Sequence, residues 1–433
     1  MNFYKVINIF GKNLIFLPAS MILLESNDKI NEEFKYGFEH PEADIQHDIK
    51  QSITVENDAQ RYLQQLKTSD NFINSIQINM INACNMRCKY CFADGGSHHK
   101  NNVMTKEQAK AVIDYTFEHL NGNMLSVVVI GGEPMLNMPV FEYILYYCRK
   151  KALDRKINVR FATTTNGTLL NRSNLRLLDS YNVVAMISQD SYDKRTNDYL
   201  RCMADSKQSQ YEILQRKKTL LLEQHKKRAI HITITPINKD FAKTAIRFYE
   251  EGFYHVYLDF VKSEKKEFKF TIKDIDFFKQ QLNILSEYII KCIEKNKVIN
   301  CHPLTDDINR IHNRIPRIRK CNVLNGLYAF SPEGIIYPCD VLMYDEYQIG
   351  NIYIGLDKKR LIKMRRNYST QQKCSYCWAR YICGGKCLAE MVNGIEANQK
   401  FICSMRQYMA ELSLYIYYYI LKENPSFLDN YLK

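Results

Sequence analysis

The sequence predicts an α/β protein in which a parallel β-sheet wrapped by helices is followed by a smaller cysteine-rich domain. Strand-like and helical patterns alternate six times between residues 75 and 261, and such alternation is typical of a parallel sheet. Seven of the fourteen cysteines fall between residues 321 and 403, in ordered spacings. A chain of 433 residues is long enough for about two or three domains.

The first 70 residues lack any metal-ligand motif and are predicted to form a separate small module. Three short strand patterns and one helical pattern follow in order, over residues 2–10, 12–18, 21–25 and 55–66. A few strands followed by a helix predict a winged-helix-like fold for residues 1–70. A plain structural extension of the next domain is the alternative.

The central region, residues 75–300, carries the strand–helix alternation. The strand patterns cover residues 75–82, 125–130, 158–164, 183–188, 229–236 and 255–261. Helical patterns between them include residues 105–120, 171–180, 211–224 and 239–251, and a longer one covers 272–295. Thr105 and Gln108 have the spacing of a capping box. Six units predict a sheet that curls into a partial barrel, with functional groups at the carboxyl ends of the strands.

The composition is that of an ordinary globular protein, with 46% hydrophobic and 25% charged residues. The formal charge of +13 would suit an acidic peptide, but lysine and arginine are spread along the chain, so solvated helix faces explain it equally well. Lys12 breaks the N-terminal apolar stretch, and no run approaches the length of a membrane span. We therefore expect a cytoplasmic protein, with neither nucleic acid nor membrane as a partner.

Three cysteines in a C-x3-C-x2-C run, Cys84, Cys88 and Cys91, form the first motif. An iron–sulfur cluster is normally held by four cysteines, so a local set of three indicates a cluster with one iron left open for another ligand. Zinc bound with His98 or His99 is the alternative. Zinc ligands usually come as paired C-x2-C knuckles, so the spacing favours iron and sulfur.

Gly131-Gly132-Glu133-Pro134 follows the second predicted strand. Glycines there allow the backbone to approach a ligand closely. With the three cysteines and the downstream cysteine pattern, this motif resembles the radical S-adenosylmethionine (radical SAM) superfamily, specifically members with a C-terminal SPASM domain. The resemblance covers roughly residues 75–405. It implies a partial (β/α)6 radical SAM barrel, followed by a SPASM domain over 301–405 and a helical tail over 406–433. By its layout the module over residues 1–70 resembles the peptide-recognition element at the front of many peptide-modifying members.

The resemblance implies that Cys84, Cys88 and Cys91 hold a [4Fe–4S] cluster whose open iron binds SAM. A reduced cluster would then cleave SAM to methionine and a 5′-deoxyadenosyl radical. Further SAM contacts implied by the resemblance are Tyr90, Gly131, Gly132, Glu133, Asn166, Ser188, Asp190 and Arg201. Arg195 is the alternative to Arg201, and Ser191 stands where the family usually has glycine.

The second cysteine pattern matches a complete SPASM set, although a pair of zinc sites is the alternative. The resemblance assigns one fully ligated cluster to Cys374, Cys377, Cys383 and Cys403. It assigns a second to Cys321, Cys339 and Cys387, with either Cys301 or an open iron completing it. The cofactors implied are therefore SAM and three [4Fe–4S] clusters, one binding SAM and two auxiliary.

Two further assignments concern single residues. Asp340 directly follows Cys339 and resembles the base of sulfatase-maturing relatives, because a shielded carboxylate can have its pKa raised enough to accept a proton. A helix cap or a backbone hydrogen bond is the alternative reading of Asp340. Cys148, Cys202 and Cys292 are expected to be buried, inert thiols.

The function implied is a radical SAM oxidoreductase that matures a ribosomally made precursor peptide, by abstracting hydrogen and forming a thioether cross-link. The expected partners are a precursor peptide with its leader and an electron donor such as flavodoxin or ferredoxin. The alternatives are an anaerobic sulfatase-maturing enzyme that forms formylglycine, and a maturase that forms carbon–carbon links. A zinc-dependent nucleic-acid binder is a third class, which would leave Gly131 to Pro134 unexplained.

Overall fold

The protein was analysed as a computed structural model. It describes residues 4–27, 72–98, 100–205, 207–223, 227–263, 265–368, 372–392 and 399–432, and a few single positions between 32 and 65. Within these residues the centre of the molecule is an eleven-stranded sheet. A separate three-stranded sheet lies at the N-terminal end.

Parallel strands form most of the central sheet, in the order β10-β9-β8-β7-β6-β5-β4. They are β4 (Ile73–Asn79), β5 (Met124–Ile130), β6 (Asn158–Thr165), β7 (Val184–Ser188), β8 (Arg228–Ile234), β9 (His255–Phe260) and β10 (Asn300–His302). Each of the six predicted strands is present with its ends shifted by up to three residues. The predicted α/β class with a parallel radical SAM-type sheet is confirmed.

Helices cover the outer face of this sheet. They are α1 (Lys106–Glu118), α2 (Met138–Asp154), α3 (Arg172–Ser180), α4 (Lys194–Leu200), α5 (Gln210–Leu222), α6 (Phe241–Glu250) and α7 (Ile275–Glu294). Thr105 and Gln108 form the predicted capping box at the start of α1, with bonds of 2.8 and 3.2 Å. Among the described residues, no helix combines the length and the apolar character that crossing a bilayer would require.

Side chains alternate between two environments along each parallel strand. On β5, Leu125, Val127 and Val129 are fully buried beneath the helices, whereas Ser126 and Val128 between them are only half-buried. The same alternation recurs on β4 and β6. Because successive side chains of a strand point to opposite faces, the half-buried set lines the inner face of the curved sheet. That face leads to the carboxyl ends where the predicted motifs lie.

The cysteine-rich region extends this same sheet, a feature that the sequence did not predict. Strand β11 (Gly326–Phe330) pairs in parallel with β4, and β12 (Ile335–Tyr337), β13 (Gly350–Asn351) and β14 (Gly355–Leu356) continue it in antiparallel fashion. Three of these strands have only two or three residues, too short for a period-two pattern to be recognised.

The remaining helices lie in the C-terminal third: α8 (Ile308–His312), α9 (Lys358–Asn367), α10 (Gln372–Ser375), α11 (Arg380–Cys383), α12 (Leu388–Val392), α13 (Gln399–Glu423) and α14 (Phe427–Tyr431). The long helix α13 packs along α7. Phe401 of α13 stacks on Phe270 at 4.3 Å between ring centroids and meets Phe278 of α7 edge-on. The helix therefore joins the cysteine-rich region to the barrel.

The N-terminal sheet is an antiparallel meander of β1 (Lys5–Ile9), β2 (Lys12–Leu17) and β3 (Ile22–Glu25). It contacts α13 through Phe10, which packs on Tyr415, and through Glu25, which pairs with Lys422 at 2.9 Å. The predicted helix over residues 55–66 lies largely outside the described residues, although 57–59 are helical.

Candidate active site

The loop that carries the first three cysteines begins at the carboxyl end of β4 and crosses the end of β5. The backbone amide of Gly132 donates to the carbonyl of Ile81 at 2.9 Å, and that of Glu133 donates to Ala83 at 2.9 Å. Two consecutive bonds therefore fix the start of the cysteine loop onto the Gly-Gly-Glu-Pro segment. The two motifs, separate in the sequence, form one surface.

Glycine is required at this crossing because three backbone segments touch. A Cβ atom on Gly132 would lie 2.2 Å from the Ala83 carbonyl oxygen and 3.0 Å from the Cys84 Cβ. A Cβ on Gly96, which has a φ of +88°, would lie 2.1 Å from the Gly132 Cα. A Cβ on Gly131 would meet the Ile81 carbonyl at 2.8 Å. No side chain fits at these positions without moving backbone.

Cys84, Cys88 and Cys91 are free, half-buried thiols grouped in this loop. Burial raises the pKa of Cys84 to about 11 and that of Cys88 to about 12, and the nearby Cys91 thiol contributes to both increases. The amide Nδ2 of Asn166 lies 3.8 Å from the Cys84 sulfur. Three thiols of one loop, partly shielded from water, are the residues that would hold a metal cluster, which would bind them as thiolates.

Glu133 is fully buried beside the cysteines. Its carboxylate accepts hydrogen bonds from Thr165 Oγ1 at 2.7 Å, the Asn166 amide at 2.8 Å and the Met135 amide at 3.0 Å. Burial raises the pKa of Glu133, and these three donors partly offset the increase. The carboxylate is therefore fixed by β5 and β6 together, in a position where it can accept from an ammonium group.

Half-buried Tyr90 forms a triad with buried Asp190 and Arg201 next to Cys88. The Tyr90 hydroxyl donates to Asp190, and Arg201 Nη1 donates to the Tyr90 oxygen at 2.5 Å and lies 3.6 Å from the Asp190 carboxylate. The Arg201 Nε is buried and has no acceptor among the described residues. Arg195, the alternative from the sequence, is exposed on α4. Arg201 is thus the arginine placed beside the cysteine loop.

Asn166 and Ser188 lie at the ends of β6 and β7 and are joined by a residue that sequence reasoning missed. The side-chain Nε2 of Gln210, at the start of α5, donates to both of their carbonyl oxygens at 2.8 Å. Gln210 in turn accepts from Asn197, whose oxygen accepts the Asp190 amide at 3.1 Å. A single glutamine or asparagine carries no spacing signal, so only the fold reveals this network.

These observations fit the cofactors that the sequence predicts at this end of the sheet. Three thiols supply cluster ligands, the glycine crossing allows close approach, and the orphaned Arg201 Nε offers a donor to an anionic group. Cys84, Cys88 and Cys91 would hold the cluster. Glu133 and Arg201 have the charges that suit the ammonium and carboxylate of SAM.

The seven downstream cysteines are also free thiols, and their mutual electrostatic effects divide them into two groups. The thiols of Cys403, Cys383 and Cys377 each raise the pKa of Cys374, after burial as the main cause. Separately, burial raises the pKa of Cys387 to about 11 with a contribution from Cys321, and Cys387 contributes to the raised pKa of Cys339. From the sequence we expect Cys374, Cys377, Cys383 and Cys403 to hold one cluster and Cys321, Cys339 and Cys387 to hold another, and these two ligand sets stay a prediction.

Asp340 lies where the cysteine-rich region meets the barrel. It forms a reciprocal pair with Gln77 on the inner face of β4: Gln77 Nε2 donates to the carboxylate and the Asp340 amide donates to Gln77, both at 3.0 Å. Burial raises the pKa of Asp340, and Gln77 and Lys262 partly offset this. Backbone amides of Asp340 and Val341 also lower the pKa of this carboxylate, so the alternative of a backbone hydrogen bond stays open.

Lys262, just beyond β9, is a second residue that sequence reasoning missed. Burial alone would lower the pKa of Lys262, but Asp259, Cys387 and Glu390 raise it above the usual lysine value. The same ammonium group lowers the pKa of Asp340. Lys262 is therefore a cation close to both Asp340 and Cys387. Cys387 belongs to the set Cys321, Cys339 and Cys387, which we call the group of three cysteines.

Cys301 does not join either group of cysteines. It is fully buried in β10, and burial raises its pKa to about 12, with Tyr249, Asp306 and the Leu304 backbone as the other main influences. Of the other thiols, Cys148 and Cys292 are buried as expected. Cys202 is only half-buried, in contrast to the expectation. Its backbone contacts the cysteine loop, where the Arg87 amide donates to the Cys202 carbonyl at 2.8 Å.

Contacts across the mouth of the barrel bring the two cysteine regions together. The Tyr344 hydroxyl donates to the Phe92 carbonyl at 2.5 Å, directly after Cys91, and Lys100 pairs with Asp345 at 2.7 Å. His98 packs its ring against Tyr344, with centroids 5.9 Å apart, and His99 lies outside the described residues. Both cysteine regions therefore lie at the same end of the sheet.

Comparison with known proteins agrees with this site. The Radical SAM superfamily model matches residues 78–240, which include the cysteine loop and the strand ends. The uncharacterized protein MJ0907 of Methanocaldococcus jannaschii is 30% identical over 58% of this chain and 85% of its own. The chain belongs to the radical SAM superfamily and is an enzyme of that superfamily.

Two further relatives have named activities. The radical SAM cyclopropyl synthase TigE of Paramaledivibacter caminithermalis is 24% identical over 89% of this chain and 82% of its own. The cysteine-type anaerobic sulfatase-maturating enzyme of Clostridium perfringens is 22% identical over 70% of this chain and 85% of its own.

Solved structures share the fold. The anSMEcpe structure with bound AdoMet and Cp18Cys peptide superposes with a TM-score of 0.62 at 19% identity, over 83% of this chain and 99% of that one. Streptococcus suis SuiB bound to precursor peptide SuiA gives a TM-score of 0.52 at 14% identity, over 90% and 95%. The superfamily implies SAM and a [4Fe–4S] cluster as cofactors.

Proposed function

We propose that this enzyme is a peptide maturase that abstracts hydrogen from a ribosomally made precursor and forms a cross-link, with a thioether as the product. The observation that carries the proposal is the meeting of two cysteine regions at one end of the barrel, around the half-buried inner face. A substrate in that space would contact both regions. Relatives and fold neighbours that act on or bind peptides support a peptide as that substrate.

The residues of the first site bind and orient SAM in this proposal. When bound, the cluster and SAM supply the 5′-deoxyadenosyl radical that removes hydrogen from the peptide. Glu133 accepts the ammonium group of SAM, and Arg201 faces its carboxylate. Tyr90 shields the site, since its ring lies edge-on against buried Phe268 at 6.0 Å. Charged groups held before SAM binds need no reorganisation, which favours a productive orientation.

The auxiliary region receives the proton and the electron that the peptide loses after hydrogen abstraction. Asp340 is the candidate base, because its carboxylate is shielded from bulk water and fixed by Gln77 at the inner face of β4. Lys262 lies nearby as a permanent cation and would stabilise the ionised form of Asp340. Two auxiliary [4Fe–4S] clusters, held by the two cysteine groups, would accept the electron.

Residues 1–70 are the candidate module for the leader of the precursor. Its meander packs on α13, so a leader bound there would be tied to the cysteine-rich region and not to the barrel helices. Binding is measured by fluorescence anisotropy of a labelled leader peptide, with and without residues 1–26. A full-length protein that binds no leader from any neighbouring precursor gene would contradict this part of the proposal.

Activity is tested with anaerobically reconstituted enzyme, SAM, dithionite and a short precursor encoded beside this gene. We expect 5′-deoxyadenosine and a peptide lighter by two hydrogen atoms, detected by liquid chromatography with mass spectrometry. The Asp340→Asn variant separates the steps: deoxyadenosine still forms, but the lighter peptide does not. If no neighbouring precursor loses hydrogen while SAM is cleaved, the peptide maturase assignment fails.

The type of bond is tested by counting thiols. A thioether consumes one cysteine thiol, so the product takes up one N-ethylmaleimide fewer than the precursor. A carbon–carbon link leaves the count unchanged. The similarity to the cyclopropyl synthase TigE over 89% of the chain is the reason to keep a carbon–carbon link as the alternative product. A precursor with its acceptor cysteine changed to serine would still be modified only if carbon–carbon chemistry operates.

A sulfatase-maturing activity is the second candidate, favoured by Asp340 directly after Cys339 and by the clostridial relatives. A synthetic peptide with a Cys-x-Pro-x-Arg motif tests it directly. Aldehyde formation, detected by hydrazide labelling, would replace the cross-linking proposal. A peptide with alanine in place of that cysteine is the control, because it has no side chain to oxidise.

A further inference from the structure

Helix α9 is a densely basic element of the cysteine-rich region. Its sequence KKRLIKMRRN contains six cations and no carboxylate. Lys358, Lys359, Lys363 and Arg366 are exposed, and the last three line a shallow groove with Ile362 and Asn367. A solvated helix face of a soluble protein usually mixes both signs of charge, so a face of one sign points to an anionic partner.

The cations of this face have no carboxylate partners among the described residues. None of the ion pairs formed between described residues includes exposed Lys358, Lys359, Lys363 or Arg366. Arg360 donates only to the Gln348 carbonyl at 2.7 Å. The one carboxylate at this helix is Asp357, which caps its first turn by accepting from the Arg360 amide at 3.0 Å, so six cations face one carboxylate.

The inner side of α9 lies against the group of three cysteines. Buried Arg365 donates Nε to the Leu324 carbonyl at 2.8 Å, and Leu324 is three residues from Cys321, so their Cα atoms are within about 11 Å. The hydroxyl of Tyr368, which follows the helix, donates to the Lys386 carbonyl at 3.2 Å, directly before Cys387. A helix is about 10 Å wide, so a protein docked on the basic face would lie within roughly two helix widths, about 20 Å, of these cysteines.

We propose that the exposed face of α9 is the docking surface for an acidic one-electron carrier protein of the flavodoxin or ferredoxin class, exchanging electrons with the cluster at Cys321, Cys339 and Cys387. This rests on the proposed function. Each turnover consumes one electron to cleave SAM. The peptide loses one hydrogen atom to the deoxyadenosyl radical, one proton to the base and one electron to the auxiliary cluster. The oxidised carrier removes that electron and returns reduced, so electrons in and out balance.

Opposite charges suit such a partner because electron carriers bind briefly, through small interfaces, and depend on electrostatic steering for their association rate. Steering between exposed charges weakens as ionic strength rises. The carrier's reaction with the auxiliary cluster should therefore be fast at low salt and slow at high salt. An uncharged small-molecule oxidant should show no such dependence.

The experiment compares two triple charge reversals in the full-length, reconstituted protein. One variant is K359E/K363E/R366E on α9, and the matched control is K150E/K243E/K291E, on exposed, unpaired positions of α2, α6 and α7. Both lower the net charge equally. Dithionite-reduced protein, freed of excess reductant, is mixed anaerobically with oxidised bacterial flavodoxin in a stopped-flow spectrometer. We expect the α9 variant to react about tenfold more slowly at low salt, and the control to match wild type.

Equal rates for the α9 variant and wild type would overturn the docking surface, as would equal slowing of both variants, which would show an effect of net charge alone. If the α9 variant no longer binds the precursor but reacts with flavodoxin at the wild-type rate, the helix binds the peptide. That result would also overturn the proposed docking surface. Iron analysis separates this from the proposed function. If the wild-type protein holds no iron at the auxiliary cysteines, the proposed function fails and the inference fails with it.

Discussion

Arg201 and Arg195 differ in burial although they lie on neighbouring turns of one segment. Arg201 is enclosed with Tyr90 and Asp190, whereas Arg195 faces solvent. We expect Arg201→Lys to weaken SAM binding about tenfold or more, because lysine lacks the planar fork that serves two partners at once. Equilibrium dialysis of reconstituted protein measures this. Arg195→Lys is the matched control and should bind SAM as wild type does; the reverse result would exchange the two roles.

Cys301 tests how the group of three cysteines is completed. The structure buries its thiol beside Tyr249 in β10, away from Cys321, Cys339 and Cys387. Cys301→Ser should therefore leave the iron content and visible spectrum unchanged, while lowering the free energy of unfolding by about 1–3 kcal/mol through a buried hydroxyl. Iron analysis and urea denaturation measure both effects. Cys339→Ser is the positive control and should lose iron; equal iron loss in Cys301→Ser would make it a ligand.

At the scale of the element, the contact between the cysteine loop and the end of β5 fixes the position of the first three cysteines. In Gly132→Ala, the new methyl group would meet the Ala83 carbonyl at 2.2 Å and push the loop away. We expect the reconstituted variant to bind less iron at the first site and to cleave SAM at least about tenfold more slowly, because a misplaced cluster cannot present its open iron. Iron content and deoxyadenosine formation measure this.

The control for that change is Gly122→Ala, in a turn where a Cβ would meet no atom within 4 Å. Its φ of +94° strains an alanine there, so the variant loses some stability, about 1 kcal/mol, but should retain its iron. If both glycine variants keep their iron and activity, the close approach at Gly132 is not needed for cluster binding.

Elements with a strong period were predictable, and elements fixed by tertiary contacts were not. Strand β5 is a short apolar run that ends at two glycines, and helix α1 begins with a capping box, so their types follow from local rules. Strands β12 to β14 are too short to show a period. At the site, cysteines and glycines with fixed spacing were recognisable. Gln210 and Lys262 were not, because a lone polar residue acquires meaning only from its neighbours in space.

At the scale of the whole molecule, the cysteine-rich region is joined to the barrel more closely than its separate motifs suggest. Strand β11 adds to the edge of β4 through a five-residue parallel register, from Gly326 to Phe330. On the other side, Phe401 of α13 packs among Phe270 and Phe278. Backbone pairing and an aromatic cluster thus link both regions into one hydrophobic core.

One core predicts one unfolding transition. Calorimetry of the metal-free protein should show a single transition for barrel and cysteine-rich region, since removing β11 would expose the edge of β4 and removing α13 would expose the aromatic face of α7.

For the same reason, a chain truncated after residue 303 should aggregate when expressed, as judged by size-exclusion chromatography. Two resolved transitions, or a soluble and monomeric truncated barrel, would show instead that the auxiliary region folds independently on a barrel that is stable without it.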